Sequence, residues 1–213
     1  MDHYFVSLLV LISVFSSGYL LPLNDKKNVT KILFIIGGTP TRFNEVPYQV
    51  AFRIRYTSGL AFCGGTIINE NWILSAAHCF LDEDHEPDVT PDMVEIVIGG
   101  HDLRTAKGTP FVVHPEKFFT HEKYYNPREP FYMANDIALI KVKESLFVKR
   151  VSGVSRAASL PHRGQDFTGM TAMASGYGKA DGINKGRFVL SPVAKKVDLQ
   201  VMDEKYCKKK IDD

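Results

Sequence analysis

The 213-residue sequence predicts an all-β protein, either a sandwich or a barrel. Short runs rich in β-branched and aromatic residues recur along the chain, and Gly, Pro, Asn and Asp separate them. Several of these runs alternate apolar and polar residues, as half-buried antiparallel strands do. Long helical periodicity is absent from the sequence, apart from a short helix or turn that we predict to begin near Asp203.

The predicted strands, in chain order, are YQVAFRIRY (48–56), FCGGTII (62–68), NWILSAA (71–77), MVEIVIGG (93–100), FVVH (111–114), DIALIKV (136–142), TAMASGYG (171–178) and FVLSPVAKKVDLQV (188–201). Residues 143–164 lack a sustained strand pattern and end in a segment that contains Pro161 and Gly164. Such a segment is typical of a connection. We therefore expect one unit before it and a shorter second unit after it.

Composition indicates a folded protein and gives no support for a nucleic-acid partner. Residues of the hydrophobic set make up 45% of the chain, which is enough for a substantial core. The chain has 26 basic and 24 acidic residues, so its formal charge is +2. That charge is too small and too evenly spread to indicate binding to nucleic acid.

The N-terminus carries an apolar block from Tyr4 to Phe15, followed by the small residues Ser16, Ser17 and Gly18. The block is too short to span a bilayer, and this order of features is typical of a secretory signal peptide. The alternative is a buried N-terminal segment of the fold. We predict a signal peptide over residues 1–18 and a secreted protein without a membrane segment.

One stretch, CGGTIINENWILSAAHC (63–79), places His78 directly beside Cys79. A single histidine is more often structural than catalytic, so the residue is ambiguous by itself. A zinc site is disfavoured because the chain has no CxxC pair and no HExxH motif. If Cys63 and Cys79 were bridged, the bond would join two neighbouring strands next to the histidine and add roughly 3 kcal/mol by the chain-entropy estimate.

The chain contains three cysteines. An odd number in an oxidising compartment means an unpaired thiol, an intermolecular bridge or a partner that is missing.

Four motifs occur in the order found in chymotrypsin/trypsin-family (S1-type) serine proteases, and the chain resembles that family from residue 35 onward. They are IIGG (35–38) followed by VPYQV (46–50), then CGGTIINENWILSAAHC (63–79), NDIALIKV (135–142) and SGYG (175–178). The second of the four, around His78, is the most specific.

The resemblance implies a chymotrypsin-like double antiparallel β-barrel. Residues 35–213 would form an incomplete protease domain, with a complete first barrel over about 35–145 and a partial second barrel over about 163–213. Residues 19–34 would be a short pro-segment.

The resemblance also implies roles for particular residues. His78 matches the general base and Asp136 the carboxylate that orients it, so these are the expected catalytic positions. Cys63 and Cys79 match a disulfide of the family. Judged without the resemblance, Asp136 would be interpreted as a polar residue that opens a buried strand.

Activation of a zymogen of this family frees a new N-terminus, which here would be Ile35. Phe34 precedes it, whereas the family commonly has Arg or Lys at that position.

The nucleophile motif of the family, GDSGGP, does not occur in residues 1–213. Other serines, such as Ser175 and Ser191, stand in contexts that do not match it. Because Cys207 resembles the cysteine shortly before the nucleophile, we interpret the sequence as truncated and expect the partner of this unpaired thiol beyond Asp213. The chain as written should not cleave peptides alone, since it lacks both nucleophile and oxyanion hole.

The sequence thus predicts a secreted trypsin-like serine endopeptidase that acts on proteins or peptides when complete. We expect a monomer with no metal or other cofactor, no nucleic-acid partner and no membrane partner. The alternatives are a non-catalytic protease homologue that binds other molecules, and a gene-model fragment with no stable product.

Overall fold

The computed structural model describes residues 38–56, 59–81, 89–99, 102–103, 111–124, 134–147, 149–150, 153–178, 191 and 193–212. The predicted signal peptide, the pro-segment and Ile35 lie outside these residues.

Within the described part of the chain, strands account for nearly all regular structure, and the predicted all-β class is confirmed. The strands are β1 (Thr39–Pro40), β2 (Gln49–Tyr56), β3 (Gly59–Asn69), β4 (Trp72–Ser75), β5 (Val94–Ile98), β6 (Phe111–Val113), β7 (Pro115–Thr120), β8 (Ala138–Val142), β9 (Lys149–Arg150), β10 (Gly153–Val154), β11 (Thr171–Gly176) and β12 (Lys195–Gln200). Two 3-10 turns, Ala77–Cys79 and Pro91–Met93, and one helix, α1 (Glu204–Asp212), complete the list.

Seven strands form the larger sheet, in the order β6-β5-β2-β3-β4-β8-β7. Every neighbouring pair is antiparallel. Alternate residues of each strand point to one face, and this face carries the core. The largest fully buried side chains include Val50, Phe52, Ile54, Ile67, Ile73, Val94, Ile96, Ile140 and Val142. Apolar residues at alternate positions therefore explain both why these segments form strands and which face of the sheet is buried.

The close approach of β2, β3 and β4 depends on Gly65. A Cβ atom on this residue would lie 2.7 Å from Cγ2 of Ile73 and 2.8 Å from Cε2 of Phe52. Both neighbours are fully buried, so neither can move without disturbing the core. The neighbouring Gly64 has more room, because its Cβ would be 3.4 Å from the nearest atom, Nε2 of Gln49.

A smaller sheet has the order β1-β12-β11 and joins the first described strand to the last two. A hydrogen bond ties it to the larger sheet, because Ser175 on β11 donates its hydroxyl to Oε1 of Gln49 on β2 at 3.0 Å. Within the smaller sheet, the backbone N–H of Thr41 continues the β1–β12 pairing and donates to the carbonyl of Ala194 at 2.9 Å.

The helix α1 begins where the sequence predicts it. The carboxylate of Asp203 accepts the backbone N–H of Tyr206 at 2.7 Å, which satisfies a donor of the first turn. No helix in the described ranges is long and apolar enough to cross a membrane.

The structure differs from the predicted strands in one main respect. The strand β7, Pro115–Thr120, was not predicted, because it begins with a proline and continues with charged residues. A register shift between Pro115 and Lys117 against β8 accommodates this start. Phe118 then packs toward the core, with its ring stacked on Phe80 at 4.4 Å between centroids.

We expect Gly65→Ala to lower the free energy of unfolding by about 1–3 kcal/mol, because the added methyl group overpacks a closed core. Guanidinium unfolding followed by the fluorescence of Trp72 measures the change. The matched control is Gly64→Ala, which should be neutral or slightly stabilising. Equal effects of the two variants would contradict this account of the β2–β3–β4 packing.

Candidate functional site

The site begins where β4 ends. Ala76 and Ala77 are fully buried after Ser75, and the chain then makes the 3-10 turn that contains His78. Phe80 follows the turn and packs edge-on against Phe52, with 5.5 Å between ring centroids. The turn that carries His78 is therefore held on both sides by the hydrophobic core.

Asp136 approaches the same point from the start of β8. Ser75 is paired with Ala138 in the antiparallel register of β4 and β8. His78 comes three residues after Ser75, and Asp136 comes two residues before Ala138. This pairing places the two side chains at the same end of adjacent strands, although 58 residues separate them in the sequence.

The carboxylate of Asp136 accepts two hydrogen bonds from His78. Nδ1 of the imidazole lies 2.7 Å from Oδ2, and the backbone N–H of His78 donates to Oδ1 at 2.9 Å. Only 5% of the His78 side chain and 17% of the Asp136 side chain are exposed, so water screens this pair weakly.

These contacts change the acidity of Asp136. Burial by itself raises the pKa of the carboxyl group. Neighbouring groups lower this pKa: the hydrogen bonds from the side chain and backbone of His78, the positive charge of its ring when protonated, and the backbone N–H of Ala77. Their combined effect is larger, so the pKa of Asp136 lies below its ordinary value and the group is ionised at neutral pH.

The ionised carboxylate determines which nitrogen of His78 carries the proton. A carboxylate can only accept, so Nδ1 must donate to it, and the neutral ring then has its lone pair on Nε2. Nε2 lies 3.4 Å from Sγ of Cys79. The arrangement can hold an imidazole in one orientation, accept a proton at Nε2 and stabilise the cation that results.

Cys63 of β3 and Cys79 of the 3-10 turn are joined by a disulfide, as the resemblance implies. The bond links the turn to the strand that lies two positions from β8 in the sheet. Sγ atoms of both cysteines and a ring nitrogen of His78 lie within 4.8 Å of one another, which is close enough for a metal ion. In the disulfide, however, neither sulfur is a thiolate, which is the form that binds metals.

The other residues considered in the sequence analysis lie on other elements of the fold or outside the described residues. Cys207 is a half-buried free thiol on α1. Ser175 donates to Gln49, and the hydroxyl of Ser191 donates to the carbonyl of Val193 at 2.6 Å, so both hydroxyls have structural partners. Ile35 is not among the described residues.

One residue of the site was not predicted from the sequence. Asn135, directly before Asp136, has a φ of 56°, in the left-handed region that few side chains tolerate. The residue type is the sequence feature that could have indicated this conformation, because asparagine is one of the few residues that adopt it readily.

Antiparallel sheets, the largest of which brings a His–Asp pair together at the ends of two neighbouring strands, define a chymotrypsin-like protein. A solved structure described as "Structure of GrC" matches with a TM-score of 0.65 and 25% identity, over 83% of this chain and 69% of that one. The predicted chymotrypsin-like fold is thereby confirmed.

The Trypsin family model matches residues 35–213, and this chain belongs to the trypsin family. Similar proteins include Serine protease 1 of Homo sapiens, 31% identical over 68% of this chain and 49% of that protein. Trypsin-1 of Astacus astacus is 32% identical over 68% of this chain and 56% of its own length. Venom serine protease 34 of Apis mellifera is 31% identical over 82% and 41%. The chain spans about half the length of these relatives.

The disulfide should be important for stability. We expect the double variant Cys63→Ser/Cys79→Ser to lower the free energy of unfolding by about 3 kcal/mol, because the unfolded chain loses a closed loop. Denaturant unfolding with and without reductant measures this loss. Cys207→Ser is the matched control in the 213-residue chain, where this thiol is free, and should leave stability unchanged. A loss of the same size in the control would contradict the prediction.

The lowered pKa of Asp136 predicts the pH dependence of Asp136→Asn. The ionised carboxylate stabilises the folded chain above its unfolded pKa of about 4, and this contribution is lost as the pH falls through the lower folded value. The difference in free energy of unfolding between the parent and the variant should therefore shrink as the pH falls below about 4. Unfolding curves measured across this range test it, with Asp198→Asn on β12 as control. A difference that does not depend on pH would contradict the prediction.

Proposed function

We propose that this chain carries the general base and the orienting carboxylate of a secreted trypsin-like serine endopeptidase. His78 is the proposed base and Asp136 the carboxylate. The observation that carries the proposal is the 2.7 Å contact between Nδ1 of His78 and Oδ2 of Asp136, in a chain of the trypsin family.

The chemistry follows from the protonation of the pair. With Nδ1–H bound to the carboxylate, Nε2 of His78 accepts the proton of a serine hydroxyl as the oxygen attacks a peptide carbonyl. The imidazolium formed is stabilised by the charge of Asp136. The same nitrogen then returns the proton to the leaving amine, so the base becomes the acid of the second half of the step.

Burial strengthens this stabilisation. Both side chains are largely withdrawn from solvent, and an ion pair interacts more strongly where the effective dielectric constant is lower than that of water. The cost of withdrawing the carboxylate from water is offset by the donors that surround it. Asp136 is thus ionised before the reaction begins and needs no reorganisation when the imidazolium forms.

The GDSGGP motif, which carries the serine nucleophile and the oxyanion donors in this family, does not occur in residues 1–213. The proposal assigns them to chain beyond Asp213, together with the partner of Cys207. It also includes the predicted signal peptide, residues 1–18, and the new N-terminus at Ile35. Residues 1–213 alone are expected to be inactive as a peptidase.

The substrates in this proposal are proteins or peptides, bound by a monomer. The alternative function is that of a binding protein, which would keep the fold without a nucleophile. Sequencing the natural transcript through and beyond the codon for Asp213 separates the two. A Gly-Asp-Ser-Gly block supports the endopeptidase, and a stop codon directly after Asp213 excludes it.

We expect His78→Ala, made in the full-length gene product after activation, to reduce kcat/KM for peptide hydrolysis by at least about 10⁴-fold, because no other group can take the serine proton. A chromogenic peptide assay measures it. His162→Ala, in the exposed loop before β11, is the control and should keep full activity. Undiminished hydrolysis by the His78 variant would refute the assignment of the base.

A further inference from the structure

We propose that Asn135 is a positioning residue for the His78–Asp136 pair. Its left-handed backbone and its side-chain amide together fix the turn that presents the carboxylate of Asp136 to the imidazole. The inference rests on the proposed function for its catalytic consequence, although the geometry that it describes does not depend on turnover.

The backbone of Asn135 sets the direction in which Asp136 enters the site. Its φ of 56° reverses the chain immediately before the aspartate. The backbone N–H of Ile137 then donates to the carbonyl of Asn135 at 2.8 Å, so Asp136 is the central residue of a three-residue turn. An alanine at this position would disfavour the left-handed conformation, whereas a glycine would permit it.

The side chain of Asn135 anchors the turn from outside. Its Nδ2 group donates to the carbonyl of Lys123 at 2.8 Å. On the other side of Asp136, the carbonyl of Ile137 accepts the backbone N–H of His121 at 3.0 Å. The turn is therefore attached on both sides of Asp136 to the segment that follows β7.

The precision of this attachment matters because Asp136 makes several directed contacts at once. Its two oxygens accept the backbone N–H and the Nδ1–H of His78 on a 3-10 turn that the core holds rigidly. Hydrogen bonds weaken steeply as the angle at the hydrogen departs from linear, so rotation of the Asp136 carboxylate would weaken at least one of the two bonds. Asn135 itself is exposed, which argues against a role in core packing.

Two variants separate the backbone from the side chain. Asn135→Gly keeps the left-handed conformation and loses the amide anchor, and Asn135→Ala loses both. Asn44 provides the matched control, because it is exposed and has nearly the same φ of 59° in the turn before β2. Asn44→Ala imposes the same backbone penalty at a turn that does not carry Asp136.

The first readout is the proton on Nδ1 of His78, observed by ¹H–¹⁵N NMR in the full-length protein labelled at histidine. His78→Gln identifies the signal. We expect Asn135→Ala to broaden or shift the signal upfield, as the bond to Asp136 lengthens. Asn135→Gly should keep more of the signal, and Asn44→Ala should leave it in place.

The second readout is kcat for peptide hydrolysis by the activated full-length protein. Asn135→Ala should lower kcat by about 10- to 100-fold with little change in KM, as expected when a catalytic group is displaced by a fraction of an ångström to about 1 Å. Asn135→Gly should recover part of that loss.

The proposal is overturned if Asn135→Ala keeps the Nδ1 signal of the parent protein, or if Asn44→Ala loses that signal to the same extent. Failure of the proposed function gives a different result. In that case His78→Ala leaves hydrolysis unchanged, whereas the NMR signal still reports whether Asn135 positions the pair.

Discussion

The antiparallel register of β4 and β8 is the constraint on which the site depends. It places Ser75 opposite Ala138, so that the chain leaving β4 and the chain entering β8 meet at one edge of the larger sheet. A slip of one residue would turn the buried faces of these strands outward, including Ile73 and Ile140, and would be strongly unfavourable. The hydrophobic pattern that folds the sheet therefore also sets the separation of His78 and Asp136.

The packing around this register converts approximate proximity into defined geometry. Phe80 fixes the far end of the 3-10 turn between two aromatic rings, and the disulfide fixes the turn to β3. These restraints immobilise the backbone N–H of His78, which is itself a donor to Asp136. The carboxylate thus meets donors that are already in place, and its burial strengthens the interaction instead of leaving a charge without partners.

Most of the strands and the start of α1 could be predicted from local patterns, because burial of alternate residues is visible in the sequence. β7 could not, since its proline and charged residues obscure a strand whose inward residue is Phe118. The roles of His78 and Asp136 as one catalytic pair were predicted from the family resemblance alone, because a contact across 58 residues has no local signal in the sequence. Asn135 was missed because its importance lies in a backbone angle and in a bond to Lys123, which only the folded chain reveals.

The smaller sheet has a consequence for the order in which the chain folds. Thr41 follows β1 and bonds to Ala194, a residue 153 positions later. The strands of the larger sheet are complete by Val142, so that sheet can assemble before the last part of the chain has been synthesised. β1 must wait unpaired until β12 has been synthesised. Closure of such a long loop is slow, and the first strand to be synthesised is among the last to find its place.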